Sequence, residues 1–379
     1  MIKHQVCSRC LMDTTAEDIY FDKDGICNYC TNFLKRQNKT VKDKKNLDEL
    51  ISKIKNDGKN KEYDCIVGVS GGVDSSFSLI KACEFGLRPL AVHMDNGWNS
   101  ELAQNNISNL VRTCGVDLYT HVINWKEYRN LQKAFFMSNV VDVELLMDNA
   151  MLAVNYQQAN KYGLKYILSG TNTSTEGFKI PENWSWFKND AKNIKSIGKK
   201  FQSQKLDTFP SFGTFDFIYY ELIKKIEWVL FPDYLNFVKK NAIEELKNKT
   251  FYKPYPYKHY ESIFTRFYQA YILPKKFGID KRKLHLSNLI VSDQMNRSEA
   301  IRIIQQPTYP SAEDEKKDKK YFLKKMKWSN QDLLNYISAP EISHLKYGSE
   351  KKLWENLKKI YQSSNIIKNF FKKKHTNYE

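Results

Sequence analysis

The chain has 379 residues, 41% hydrophobic and 27% charged, and 60 Lys+Arg against 43 Asp+Glu give a formal net charge of +17. This apolar content supports a packed core and excludes global disorder. No window approaches the ~20 apolar residues of a membrane span, and the start, MIKHQVCSRC, lacks the apolar stretch of a secretory signal. A soluble, cytoplasmic protein of two or three structural units is expected. Only nine of the cationic residues are arginine and 51 are lysine. Arginine carries the bidentate fork suited to phosphate backbones, so a lysine excess reads either as compositional bias on solvated faces or as a basic surface.

In chain order, the first feature is Cys7-x-x-Cys10 followed by Cys27-x-x-Cys30. Two such pairs at this separation have the spacing of a tetrahedral four-thiolate zinc site. Iron is the competing metal, because four thiolates also suit iron–sulfur ligation. A unit over residues 1–40 is too short for a core of its own, and a metal supplies the missing stability. Disulfides are disfavoured in an intracellular chain. Residues 41–62 carry Leu47, Leu50, Ile51 and Ile54 at helical spacing and read as an amphipathic linker helix.

Residues 63–212 alternate strands and helices. Strands are expected at 63–69, 90–94, 118–123 and 166–168, with helices at 77–85, 101–114 and 143–162. Such alternation predicts an α/β fold with a parallel sheet covered on both faces. From 213 to 379 the pattern reads as mainly helical and rich in aromatics, with a lysine cluster at 316–327 and a basic tail at 370–379. This part is expected to bind substrate.

The chemistry concentrates in Ser70-Gly71-Gly72-Val73-Asp74-Ser75-Ser76, between the first strand and its helix. Adjacent glycines let the backbone turn sharply, so that successive N–H groups converge at a helix N-terminus. Ser70, Ser75 and Ser76 add hydroxyl donors. The result is a phosphate cradle without Walker or dinucleotide-fold spacing. Asp74 in a polyphosphate site requires a cation, so Mg²⁺ is inferred. His93-Met94-Asp95-Asn96-Gly97-Trp98 and Ser169-Gly170-Thr171-Asn172 end two further strands at the same sheet edge, where open α/β sheets bind ligands.

The loop resembles the SGGxDS signature of the PP-loop ATP pyrophosphatases (the adenine nucleotide alpha-hydrolase-like family). Four blocks narrow the resemblance: Cys7-Ser-Arg-Cys10 with Cys27-Asn-Tyr-Cys30, the loop, His93–Trp98, and the run His259–Gln269 with Leu273–Ser287. Together they resemble the N-acetyl sugar amidotransferases of bacterial surface-glycan synthesis, as in pseudaminic acid biosynthesis and flagellin glycosylation. The resemblance implies ATP as co-substrate, with Mg²⁺ and structural Zn²⁺. An N-acetyl group on an acidic sugar would be adenylated on oxygen, then attacked by ammonia to give an acetamidino group, AMP and pyrophosphate.

The resemblance implies nucleotide contacts at Ser70, Gly71, Gly72, Asp74, Ser75, Ser76, His93, Met94, Asp95, Gly170 and Thr171. It implies catalytic roles for Asp74, Arg266 and Lys275. Tyr257, Tyr260, Phe264, Phe267, Tyr268 and Tyr271 read as stacking faces or as helix core. Cys65, Cys83 and Cys114 lack the flanking residues of a glutaminase nucleophile, so ammonia is expected from a separate glutaminase subunit or from free ammonium. A tRNA-thiolating PP-loop enzyme is the alternative. It would use the basic charge directly, but no second CxxC pair remains, and nucleic acid is not expected as a partner. A non-catalytic, ATP-binding zinc scaffold is a third reading.

Overall fold

A computed structural model describes residues 4–40, 44–201, 206–256, 258 and 260–363. The basic tail, Tyr257 and His259 lie outside the described residues. Among these residues no helix is long and apolar enough to cross a membrane.

The central element is a five-stranded, all-parallel sheet in the order β3-β2-β1-β4-β5. The strands are β1 (Cys65–Gly68), β2 (Pro89–Asp95), β3 (Leu118–Val122), β4 (Tyr166–Ser169) and β5 (Glu227–Leu230). The first four fall where the sequence places them. The fifth is a correction, because its stretch reads as part of a helical region. Glu-Trp-Val-Leu is too short to show a period, and only its pairing with β4 identifies it.

The helices of this half are α1 (Asn28–Thr40), α2 (Lys44–Gly58), α3 (Val73–Glu84), α4 (Glu101–Cys114), α5 (Trp125–Ser138) and α6 (Leu145–Lys161). Residue alternation divides the sheet between two cores. Cys65, Val67, Ala91 and Leu168 pack with Phe77, Leu79 and Ile80 of α3. Ile66, Leu90, Val92 and Ile167 pack with Leu152, Val154 and Tyr156 of α6. The chain runs outward from β1 through β2 to β3, then returns to β4 on the other side of β1. The carboxyl ends of β1 and β4 therefore flank a topological switch point, where connecting loops diverge and leave a crevice.

The four cysteines are completely buried, and their sulfurs lie within 4.8 Å of one another. Cys7–Cys30 and Cys10–Cys27 sulfur separations are 3.9 and 3.7 Å. A tetrahedron with ~2.3 Å metal–sulfur bonds has edges of about 3.8 Å, so these residues fit zinc. Backbone N–H groups of Cys10, Met12 and Cys27 point at cysteine sulfurs, as expected for thiolate acceptors. Four thiolates this close repel one another without a cation between them.

This unit is not free-standing. Leu11 N–H donates to Ser287 Oγ at 3.0 Å, and Arg297 donates to the carbonyls of Cys7 and Cys10. Lys283 pairs with buried Asp13. The cysteines share one apolar cluster with α5 and with the helices around residues 263–291 and 312–338. Removing the metal with a chelator should therefore loosen the distant helix Arg282–Val291 as well as the first 40 residues. Hydrogen exchange checks this, and unchanged protection at 284–291 would refute the coupling. Metal analysis should return one zinc per chain.

Candidate active site

The cleft at the switch point has a volume of about 530 Å³. Its floor is the 70–76 loop. Gly71 adopts φ +80°, which a side chain resists, and a Cβ there would lie 2.7 Å from the Ala103 carbonyl oxygen. The loop is braced internally. The Ser70 and Ser75 hydroxyls are 3.1 Å apart, Ser70 N–H donates to Ser75 Oγ, and Gly72 N–H donates to Ser70 Oγ. No side chain caps the N-terminus of α3, so its positive end faces the cleft. The loop after β4 presses on this helix start. A Cβ on Gly170 would stand 2.5 Å from Ser75 N, so glycine is required there.

Of the residues proposed from sequence, Ser70, Gly72, Asp74, Ser75, His93, Met94, Gly170 and Thr171 line this one cleft. Asp74 carries a buried Oδ1 without a hydrogen-bond partner. Burial pushes its pKa up to about 6; Glu176 and Glu261 act in the same direction, and Lys258 and Lys239 oppose them. His93 Nδ1 lies 2.8 Å from the Val69 carbonyl and Nε2 lies 3.0 Å from Asn99 Nδ2. These partners fix a neutral ring that donates from Nδ1 and accepts at Nε2, and burial lowers its pKa. His93 thus ties the end of β2 to the start of the loop.

Five proposed positions lie elsewhere. Gly71 turns away, and its carbonyl accepts from Tyr255 Oη at 3.0 Å. Ser76 is buried within α3. Asp95 closes the turn after β2 by accepting from Gly97 N–H and Asn99 Nδ2. Arg266 is a correction: it forms a bidentate pair with buried Asp318 and lies over the Tyr260 ring, outside the cleft. A guanidinium neutralised in this way braces two helices. Lys275 is a second correction. Its ammonium stacks 3.8 Å from the Tyr271 ring centre beside Glu315, on the half-exposed outside. Tyr260, Phe264, Phe267, Tyr268 and Tyr271 are buried, so the aromatic block is core rather than a stacking face.

The cleft takes its cations from Lys239 and Lys258, which sequence reasoning missed. Lys258 pairs with Glu176 at 2.5 Å, and burial lowers the pKa of Lys239. Glu261 reaches over the loop, with its Oε1 3.1 Å from where a Gly72 Cβ would be. The loop after β2 holds this segment in place: Ser100 N–H donates to the Glu261 carbonyl and Ile263 N–H to the Trp98 carbonyl. Lys258 adjoins the His259–Gln269 block and Glu261 lies within it, which was a usable signal. Lys239 had none, because it opens an ordinary lysine-rich helix. Asp74 offers a carboxylate oxygen without a hydrogen-bond partner, with Glu176 and Glu261 nearby, but among the described residues these three do not close into a ligand cluster, so a divalent cation there would draw most of its ligands from a bound anion and water.

No cysteine lines the cleft. Cys65 is buried in β1, and burial raises its thiol pKa. Cys83 and Cys114 meet at the far ends of α3 and α4, where a hydrogen bond from Cys114 lowers the Cys83 pKa. Cys83 lies ten residues along α3 from Val73, about 15 Å from the loop at 1.5 Å per residue.

Residues 261–361 match a family described as "LPS biosynthesis protein WbpG-like, C-terminal domain". An uncharacterized protein of Methanocaldococcus jannaschii, MJ1599, is 30% identical over 166 residues, covering 43% of this chain and 58% of the relative. The chain thus spans little more than half the length of that curated relative. Solved structures match as well, among them the following two. NMN synthetase from Francisella tularensis aligns at 12% identity and a TM-score of 0.28, over 56% of this chain and 97% of its own. NH3-dependent NAD synthetase from Campylobacter jejuni, in complex with the nitrate ion, aligns at 14% identity and 0.28, over 56% and 93%.

The fold penalises ionised Asp74, so its contribution is most favourable at low pH and is lost as pH rises through about 6. Asp74→Asn should therefore stabilise the ligand-free chain by about 1–3 kcal/mol at pH 8, and hardly at all near pH 4. Urea unfolding of both proteins at the two pH values measures this, and an equal shift at both would refute it.

Proposed function

We propose that the protein is an ATP-dependent amidotransferase acting on an N-acetyl group of a bacterial surface-glycan sugar. One juxtaposition carries the reading. The segment matched to the lipopolysaccharide-biosynthesis family contributes Glu261, Ser262 and Thr265 to the wall of the cleft that holds the phosphate loop. A glycan-related segment and an anion cradle thus face one reaction space.

An acetamido oxygen is a poor leaving group until it is esterified. In the proposed reaction that oxygen attacks the α-phosphorus of ATP, the bond to pyrophosphate breaks, and an O-adenylyl imidate forms. Ammonia adds to its carbon and AMP leaves, which yields the acetamidino sugar. The 70–76 loop and the α3 N-terminus would hold the departing pyrophosphate. Lys258 and Lys239 would balance the charge that grows on it. Glu176 orients Lys258 by their ion pair. Mg²⁺ would be held by Asp74 with Glu176 or Glu261, and it would neutralise polyphosphate charge when bound. Ammonia is proposed to come from an external source, either a glutaminase subunit or free ammonium. The remote Cys83–Cys114 pair gives no support to tRNA thiolation. A di-N-acetylated acidic sugar of the pseudaminic acid type is the proposed substrate, and the cytoplasm, where ATP is supplied, is the proposed location.

Incubation with ATP, Mg²⁺, ammonium and such a sugar should release AMP and pyrophosphate and form a product with NH in place of O. Formation of ADP and phosphate would overturn the mechanism. AMP release that required tRNA and a sulfur donor would establish the alternative. Lys258→Met should lower kcat by about 10²–10³-fold, as expected for loss of a preorganised charge. Arg266→Met, by contrast, should act mainly on stability.

A further inference from the structure

Charge divides the cleft into two ends. Lys239 and Lys258 stand with the 70–76 loop, whereas the α6 wall carries a carboxylate, Asp148, together with Met147 and Met151. Helix geometry separates the two ends. A Cβ on Gly68, two residues before Ser70, would lie 3.1 Å from the Asn155 side chain, so Asn155 marks the sheet edge where the loop begins. α6 runs back toward the start of β4, so its earlier residues lie beyond that edge. Asp148 precedes Asn155 by seven residues, about 10 Å along the helix at 1.5 Å per residue.

Asp148 is built into the wall. Its carboxylate is 2.8 Å from Lys188 Nζ, and the same ammonium is 2.7 Å from Asp142. Buried Asp142 also accepts from the backbone N–H groups of Leu145 and Trp186 and from Ser185 Oγ. Asn149 donates to the Lys188 carbonyl at 2.7 Å and so ties that segment to α6. These contacts hold Lys188, and Lys188 orients one oxygen of Asp148. The Asp148 side chain is still 33% exposed, and it lines the cleft.

A phosphate or carboxylate would be repelled by this group. An ammonium ion would be attracted, but a neighbouring carboxylate stabilises its protonated form, and a nucleophile has to be unprotonated. A neutral hydroxyl gains a charge-assisted hydrogen bond. The thioethers on the same wall, of which Met151 is 38% exposed, suit the C–H face of a ring. A held carboxylate beside adaptable apolar side chains fits a hydroxylated ring.

We infer that Asp148 selects the acceptor by taking a hydrogen bond from a hydroxyl of the sugar at the end of the cleft away from the loop. This rests on the amidotransferase reading above and deepens it, because it names a residue that touches the sugar. It also orients an acidic sugar, whose own carboxylate points away from α6.

The test is steady-state AMP release by the full chain with Mg²⁺, varying ATP, ammonium and the di-N-acetylated acidic sugar in turn. Asp148→Ala should raise KM for the sugar by about tenfold to a hundredfold, the worth of a hydrogen bond to a charged group, and leave KM for ATP and ammonium nearly unchanged. Asp148→Asn, which keeps an acceptor oxygen, should lose less. Lys188 keeps Asp142 as its partner in both variants. Among sugar analogues that each lack one hydroxyl, one should lose a similar factor on wild type, and the alanine variant should no longer distinguish it from the parent. An unchanged sugar KM in the alanine variant would overturn the inference while the proposed function stands. So would an equal rise in KM for ATP, which carries hydroxyls of its own, or a rise in KM for ammonium alone. A wild type that releases no AMP with the sugar would overturn both. The deoxy series on wild type needs no variant: if every analogue matches the parent, the inference fails even where a substitution prevents folding.

Discussion

The structure depends on how closely three backbone segments approach at the carboxyl end of β1. The 70–76 loop is wedged between the start of α4, which touches it at Gly71, and the loop after β4, which touches it at Gly170. A single methyl group at either point would collide with backbone at 2.7 or 2.5 Å. Backbone cannot rotate out of the way as a side chain can, so these contacts set the shape of the cleft. They hold the N-terminus of α3 at the switch point, with its N–H groups facing the crevice.

That placement explains the electrostatics around it. An anion cradle with no counter-charge would bind any anion. Here half-buried carboxylates stand among two lysines, and desolvation pushes the Asp74 pKa up to about 6. Keeping that carboxylate ionised is costly in such surroundings. Strain of this sort is common where function needs a preorganised site. Tyr255 and Lys258 come from far along the chain, and they reach the loop because the turn after β2 pairs with residues 261–263.

The four-cysteine knuckle and the C-terminal helices form the opposite buttress. Through Ser287, Arg297 and Lys283 the knuckle grips the helices that follow the cleft segment. A shared aromatic core, in which Phe136 contacts Phe264, Tyr268, Phe322, Trp328 and Tyr336, carries that support back to the sheet through α5. A cleft wall drawn from the middle of the chain is thus held from both ends.

Local chemistry made much of this legible before any coordinates. The four cysteines, the double-glycine loop and the strands β1 to β4 each carry their own pattern, because a metal, a helix start and a packed sheet demand particular residues at short spacing. Long-range assembly decided the rest. Lys239 and Lys275 have the same local chemistry, and only docking turns the first into the cleft and the second onto Tyr271. Arg266 looked catalytic until Asp318, fifty-two residues on, neutralised it. β5 has no period of its own and exists because β4 offers an open edge. Sequence determines which groups can bind phosphate or metal, whereas desolvation and partnering, which depend on the whole fold, decide which of them do.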